Sequence, residues 1–322
     1  MKNSSSISNK INEDEIFEII NKDFSKLAPS FYCMMSSWLI RSYKVFGDID
    51  KFLILIYIVN KDLIFYKKND LIVDYDTFYD NKALETPKIN ISDISKDLDI
   101  PKESVRRKVQ ELEEKGVIKK TGKRIFLDSS AIVIIKAQIT MKEFSNLLND
   151  FNKILIDRKI TDKVFDNEKM SKSIKENFSY CWYQFYKFLF IYTKRFKNTQ
   201  IKDLETLCVG FVVLINTVEN KNLKKKNFNR KIYWKEAVGI VQRGVNAMSI
   251  SDITGIPRPT VVRKLKILIN LKIIEINDKK LLTLDLQSIT LDLITKIQSK
   301  NMASMSKLIY KIFNQIKIIN SN

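Results

Sequence analysis

Histidine is absent from the 322 residues, which removes imidazole acid–base chemistry and histidine-ligated metals together. Cysteine is scarce: Cys33, Cys181 and Cys208 show no C-x-x-C spacing, so no zinc pattern arises. The seven glycines are scattered and form no glycine-rich phosphate loop. The longest apolar runs, 52–59 and 208–215, are too short to span a bilayer. No carboxylate cluster has metal spacing and no nucleophile–base pair is visible. The chain is therefore not expected to be an enzyme, nor to need a cofactor or a metal. Residues 1–10 are polar and serine-rich with no apolar signal segment. A soluble, reduced, cytoplasmic protein with no membrane association is expected.

What is present is positive charge. The formal net charge is +19 and the pI about 9.6, which favours a polyanionic partner through counterion release. Lysine, asparagine and isoleucine are abundant throughout, so arginine is the cleaner indicator. Of ten arginines, Arg106, Arg107, Arg124, Arg258 and Arg263 fall within 101–124 and 257–280. Those two short segments are far richer in arginine than an even spread would allow.

Both segments lie in a pattern that occurs twice, at 91–127 and at 250–284. With three residues skipped after Ser95 and Thr254, Ser92-Asp93-Ile94 matches Ser251-Asp252-Ile253, and Ile100-Pro101 matches Ile256-Pro257. Val105, Arg107, Lys108, Leu112 and Ile118 then match Val261, Arg263, Lys264, Leu268 and Ile274. Each copy reads as two helices about a tight turn. Ile94, Leu98, Ile100, Val105, Val109 and Leu112 supply apolar contacts in one, and Ile253, Ile256, Val261, Leu265 and Leu268 in the other. Pro101 and Pro257 suit the first helical position, where a missing N–H costs nothing.

The outward face of the second helix is polar and basic in both copies. It carries Lys102, Ser104, Arg106, Arg107 and Lys108 in the first, and Arg258, Thr260, Arg263 and Lys264 in the second. Arginine forks onto the guanine edge in the major groove, and serine or threonine bonds phosphate or base. β-prone runs follow each helix: 117–119 and 125–127 around a tip containing Lys123 and Arg124, then 273–276 and 281–284 around a tip containing Lys279 and Lys280. Such hairpins suit a wing over the DNA backbone or minor groove.

Each unit resembles the winged helix-turn-helix domains of bacterial MarR-, IclR- and GntR-type transcription regulators. The closest stretch is SISDITGIPRPTVVRKLKIL. The resemblance covers the two units, roughly a quarter of the chain. It implies a winged helix-turn-helix fold bound to double-stranded DNA, in the service of transcription regulation. Those families do not usually carry two copies in tandem, and no IclR- or GntR-type effector domain is recognisable. Two units on one chain suggest a reader of two half-sites, working as a monomeric pseudo-dimer or a homodimer. A plasmid-type replication initiator with tandem winged helices and a nucleoid-type structural protein remain alternatives.

The wider chain is expected to be mainly α with small β-wings, in two similar halves, 13–160 and 161–322, after a disordered 1–12. Apolar helices are expected near 30–46 and 178–196, with Tyr32-Cys33 opposite Tyr180-Cys181, and near 49–66 and 201–219. Closing helices over 141–156 and 302–319 carry apolar stripes. Phe144, Leu147, Leu148, Phe151, Ile154 and Leu155 form the first, and Met305, Leu308, Ile309, Ile312, Phe313 and Ile316 the second. The ten aromatics in 178–196 predict a buried helix at the junction of the halves, with an aromatic-effector pocket as the lesser reading. The sequence leaves open whether an effector exists. The basic run 224–231 reads as a solvated loop before a phosphate-contacting one.

Overall fold

The computed structural model describes residues 11–80, 89–122, 124–128, 134, 137–224, 227–238, 240, 243–286 and 290–320, with only the backbone of Arg124, Lys224 and 290–295. The described chain is mainly helical, with two small antiparallel hairpins. Ile11 and Asn12 are held in place, whereas 1–10 lie outside the described residues. Ile11 exchanges hydrogen bonds with the Asn320 side chain, and Asn12 closes a capping box with Glu15.

The first half runs α1 (Glu13–Lys22), α2 (Phe24–Phe46), α3 (Ile49–Lys68), α4 (Tyr75–Asp80), α5 (Ile91–Leu98), α6 (Lys102–Glu114), β1 (Ile118–Thr121), β2 (Arg124–Leu127) and α7 (Gln138–Asp157). The second runs α8 (Asn167–Glu176), α9 (Phe178–Lys197), α10 (Leu204–Val218), α11 (Lys221–Lys224), α12 (Arg230–Val238), α13 (Ala247–Thr254), α14 (Arg258–Asn270), β3 (Ile274–Ile276), β4 (Leu282–Leu284) and α15 (Thr290–Gln315). Helix α2 begins six residues before the expected start and passes through Pro29. Buried Phe24, Leu27, Ala28 and Phe31 continue its apolar stripe across the proline. The Tyr32/Tyr180 match is a false register. The long helices open instead at Phe24 and Phe178, each directly after a short helix with an Asn or Asp cap.

The halves interlock. α2 packs on α10 and α9 on α3, while α1 packs on α15 and α8 on α7. Lys197, at the end of α9, pairs with Asp50 of α3 at 2.6 Å, and Glu205 of α10 accepts from the Ile49 N–H at the start of α3. The closing helices bury every stripe residue named above, and Phe151 meets Phe313 with ring centroids 5.7 Å apart. One continuous apolar cluster runs through both halves. The division at 160/161 therefore separates stretches of chain that share a core.

Helix α9 is buried against α3 and α15, with Phe178 stacked on Trp182 and Phe144 against Phe185. The run 224–231 is anchored at 227–228: Ser25 and Phe228 exchange hydrogen bonds, and Asn227 donates to Asp23. Burial pushes the Cys181 and Cys208 thiols up to about 12, so neither thiolate forms near neutral pH.

Candidate nucleic-acid interface

Local sequence frames both helix–turn–helix units in the same way. Asn90 accepts from the Asp93 N–H and Asn246 from the Ser249 N–H, capping α5 and α13. Asp99 (φ 54°) and Gly255 (φ 75°) end those helices in the left-handed region, where glycine and Asn/Asp are the usual occupants. Ser95 donates to the Ile100 carbonyl and Ser251 to that of Ile256, each at 2.7 Å, tying the turn to the helix before it.

Pro101 and Pro257 follow with almost identical backbones, φ −53° and ψ 136° or 134°. They sit one position before the expected one, as the residues that cap α6 and α14. An extended ψ is what a cap requires, and proline's fixed φ is compatible with it.

These equivalences run without a gap from Asn90/Asn246 to Ile118/Ile274, which overturns the three-residue skip. Ile250 is the buried partner of Ile94, whereas Ile253 is 45% exposed and makes no core contact of the expected kind. Thr254 replaces Leu98 inside. Its hydroxyl donates to Ile250 and accepts from the Ile256 N–H, so the buried oxygen is satisfied.

On α6, Lys102, Arg106 and Arg107 are exposed and Ser104 is half-buried. On α14, Arg258 and Arg263 are exposed and Thr260 is half-buried. Lys108 and Lys264 depart from this face. Lys108 is only 8% exposed and pairs with Asp48, while Lys264 pairs with Asp203 at 2.8 Å. Asp48 and Asp203 are the caps of α3 and α10. Each lysine thus fastens its helix to the body, and neither belongs to the outward face assigned from the sequence. The anchoring aspartates went unnoticed there because the partners lie far apart in the chain.

Electrostatically the two faces differ. On α6, Arg106 pairs with Glu103 at 3.0 Å and Arg107 approaches Glu111 at 3.7 Å. A hydrogen bond from Lys51, aided by its charge, holds the Glu111 carboxyl below the ordinary range. Helix α6 also carries Glu113 and Glu114. In the same register α14 has Pro259, Ile267, Ile269 and Asn270. It therefore presents Arg258, Arg263 and Lys266 with no carboxylate of its own. Lys266, exposed on this helix, is a further basic residue that the sequence reading passed over.

The hairpins complete each unit. Ile118 pairs with Leu127 and Thr121 with Arg124, leaving a two-residue turn at Gly122 (φ 60°) and 123. Lys120, Thr121 and Arg124 thus belong to strands, not to the tip. Lys123 lies outside the described residues, as does the Arg124 side chain. Lys119 pairs with Asp128 at 2.6 Å. In the second hairpin Lys279 and Lys280 are exposed at the tip. The Asn277 side chain accepts from the Lys279 and Leu281 N–H groups and shapes that turn. Val245 adds an isolated antiparallel bridge, bonding Leu282 in both directions.

Among the described residues no cluster could hold a metal ion, and no helix is long and apolar enough to cross a membrane. A family model for winged helix-turn-helix DNA-binding domains matches residues 84–119, which take in α5, α6 and the start of β1. No curated protein and no solved structure matches the chain.

Proposed function

We propose that this protein is a sequence-specific regulator of transcription that binds double-stranded DNA through two winged units in one chain. The match at 84–119 supports the DNA-binding character of the first unit. One observation carries the extension to the second: α6 and α14 share their framing turn, their cap, their lysine anchor and their outward residues. Lys102/Arg258, Ser104/Thr260 and Arg107/Arg263 stand at equivalent exposed or half-exposed positions. A helix held rigidly to a body, with arginine and a hydroxyl outward, suits the major groove. Arg106, Arg124, Lys123, Lys279 and Lys280 would add contacts to the backbone or the adjacent groove.

In this reading the chain is a tandem duplication that acts as a pseudo-dimer, its interlocked helices fixing the distance between the two reading heads. Sequencing DNA crosslinked to the protein, followed by binding to the recovered site, tests it. An imperfect repeat with half-sites a whole number of helical turns apart is expected. A single unrepeated site, or equal affinity for random DNA, would overturn it.

A replication initiator is the second reading, and the carboxylates on α6 favour it, because they separate the roles of the two units. Directly repeated sites at an origin would support that reading, whereas an inverted repeat ahead of a gene supports regulation.

A further inference from the structure

Behind α14 lies a cavity of about 110 Å³. Phe31, Tyr192, Phe196 and Trp234 supply aromatic walls, and Gly210 of α10 and Leu268 of α14 pack against each other at its edge. Gln298 and Asn301 of α15 line one side, although they are only 9% and 4% exposed. Trp234 Nε1 donates to Gln298 Oε1 at 3.1 Å, and Arg195 Nη1 donates to Asn301 Oδ1 at 2.9 Å. Indole and guanidinium can only donate, so both amide oxygens are fixed and both NH2 groups are left to point elsewhere. Neither NH2 group has a partner among the described residues.

The matching position in the first half carries a larger residue. Asp48 and Asp203 cap α3 and α10 and bind equivalent lysines, which places Leu55 in register with Gly210 and Leu112 with Leu268. Leu55 is fully buried. The first half thus carries a leucine side chain where the second half has none beside the cavity.

We propose that this cavity binds a small single-ring aromatic molecule bearing a hydrogen-bond acceptor. The ring would lie among the aromatic walls over Gly210, with the acceptor on the Gln298 and Asn301 NH2 groups. The volume limits the occupant to one ring at most, being of the same order as the roughly 150 Å³ apolar cavity that holds benzene. Leu268 belongs to α14, and Ile273, Leu284 and Leu286 belong to the hairpin or its flanks. An occupant therefore bridges the body to the second reading head and steadies it. Any effect on DNA rests on the proposed function above; binding and steadying do not.

The test uses the full chain without DNA. Benzamide, acetophenone and toluene are titrated by calorimetry, and hydrogen exchange is followed over 258–286. Benzamide and acetophenone are expected to bind more tightly than toluene and to slow exchange in that segment. Gly210→Ala places a methyl 3.5 and 3.8 Å from the Leu268 methyl groups, an ordinary contact that leaves the fold intact. It should weaken binding of all three probes at least tenfold. Asn301→Leu should weaken benzamide and acetophenone while sparing toluene. The proposal fails if no probe binds, if Gly210→Ala binds as wild type does, or if bound benzamide leaves exchange in 258–286 unchanged. Probe binding by a chain that binds no DNA would count against the proposed function and leave the cavity assignment standing.

Discussion

Side chains of one chemical type take different jobs here according to what they face. Arg263 is exposed on α14 and Lys264, its neighbour, is paired inward to Asp203. Arg107→Ala and Arg263→Ala should each cost about 1–3 kcal/mol of affinity for the cognate site if the contact is a bidentate base pair. Lys264→Ala should instead lower the melting temperature, because Asp203 loses its charge partner. Quantitative DNA-binding titrations and thermal melts on the same three variants separate these effects. Wild-type affinity in both arginine variants would remove α6 and α14 from the groove.

Asp62 behaves in the opposite sense. Burial pushes its carboxyl up to about 7, and Oδ1 has no hydrogen-bond partner. An unfolded aspartate titrates near ~3.9. Between these values the folded chain binds the extra proton, so stability falls as pH rises through the window and the penalty is complete above it. Asp62→Asn should therefore raise the melting temperature at pH 8 by roughly 2–4 °C for each kcal/mol recovered. The gain should shrink toward pH 4. Calorimetry across that range checks it, and an equal gain at every pH would discount the carboxyl.

At the scale of elements, the two hairpins are built differently. The first closes on a two-residue turn, whereas the second uses an asparagine-shaped loop and an isolated bridge from Val245. Gly244 lies so close to the second hairpin that a Cβ there would stand 2.3 Å from the Leu281 Cβ. Gly244→Ala should force the strands apart and destabilise the protein by about 1–3 kcal/mol, as overpacking does. Amide exchange at 274–284 should quicken while 118–127 stays protected. Unchanged exchange in the second hairpin would mean that the backbone shifts to accept the methyl.

For the molecule as a whole, interlocking has a direct consequence for stoichiometry. Each half's first helix packs on the other half's closing helix, and one apolar cluster serves both. Under the proposed function, covalent linkage would hold the second unit near its half-site at an effective concentration on the order of millimolar. One chain should therefore form the complete complex with one operator, as mass measurement of the protein–DNA complex would report. A strict two-chain complex at all concentrations would assign the tandem units to a higher assembly.

The sequence by itself determined the long apolar helices α3, α9 and α10, the turn between α5 and α6 and that between α13 and α14, the apolar stripes of α7 and α15, and the basic character of the outward faces. All of these rest on signals within a few residues: caps, proline placement and three- and four-residue periodicity. Tertiary structure decided what such signals leave degenerate. Ile250 and Ile253 are alike as letters, and only packing sends one inward and the other to solvent. Lys108 and Lys264 look like groove contacts until α3 and α10 bring Asp48 and Asp203 beside them. Gly210 reads as an unremarkable glycine until packing sets it at the edge of a cavity. In each case the deciding contact joins residues distant in the chain, so its energy exists only once the helices have packed.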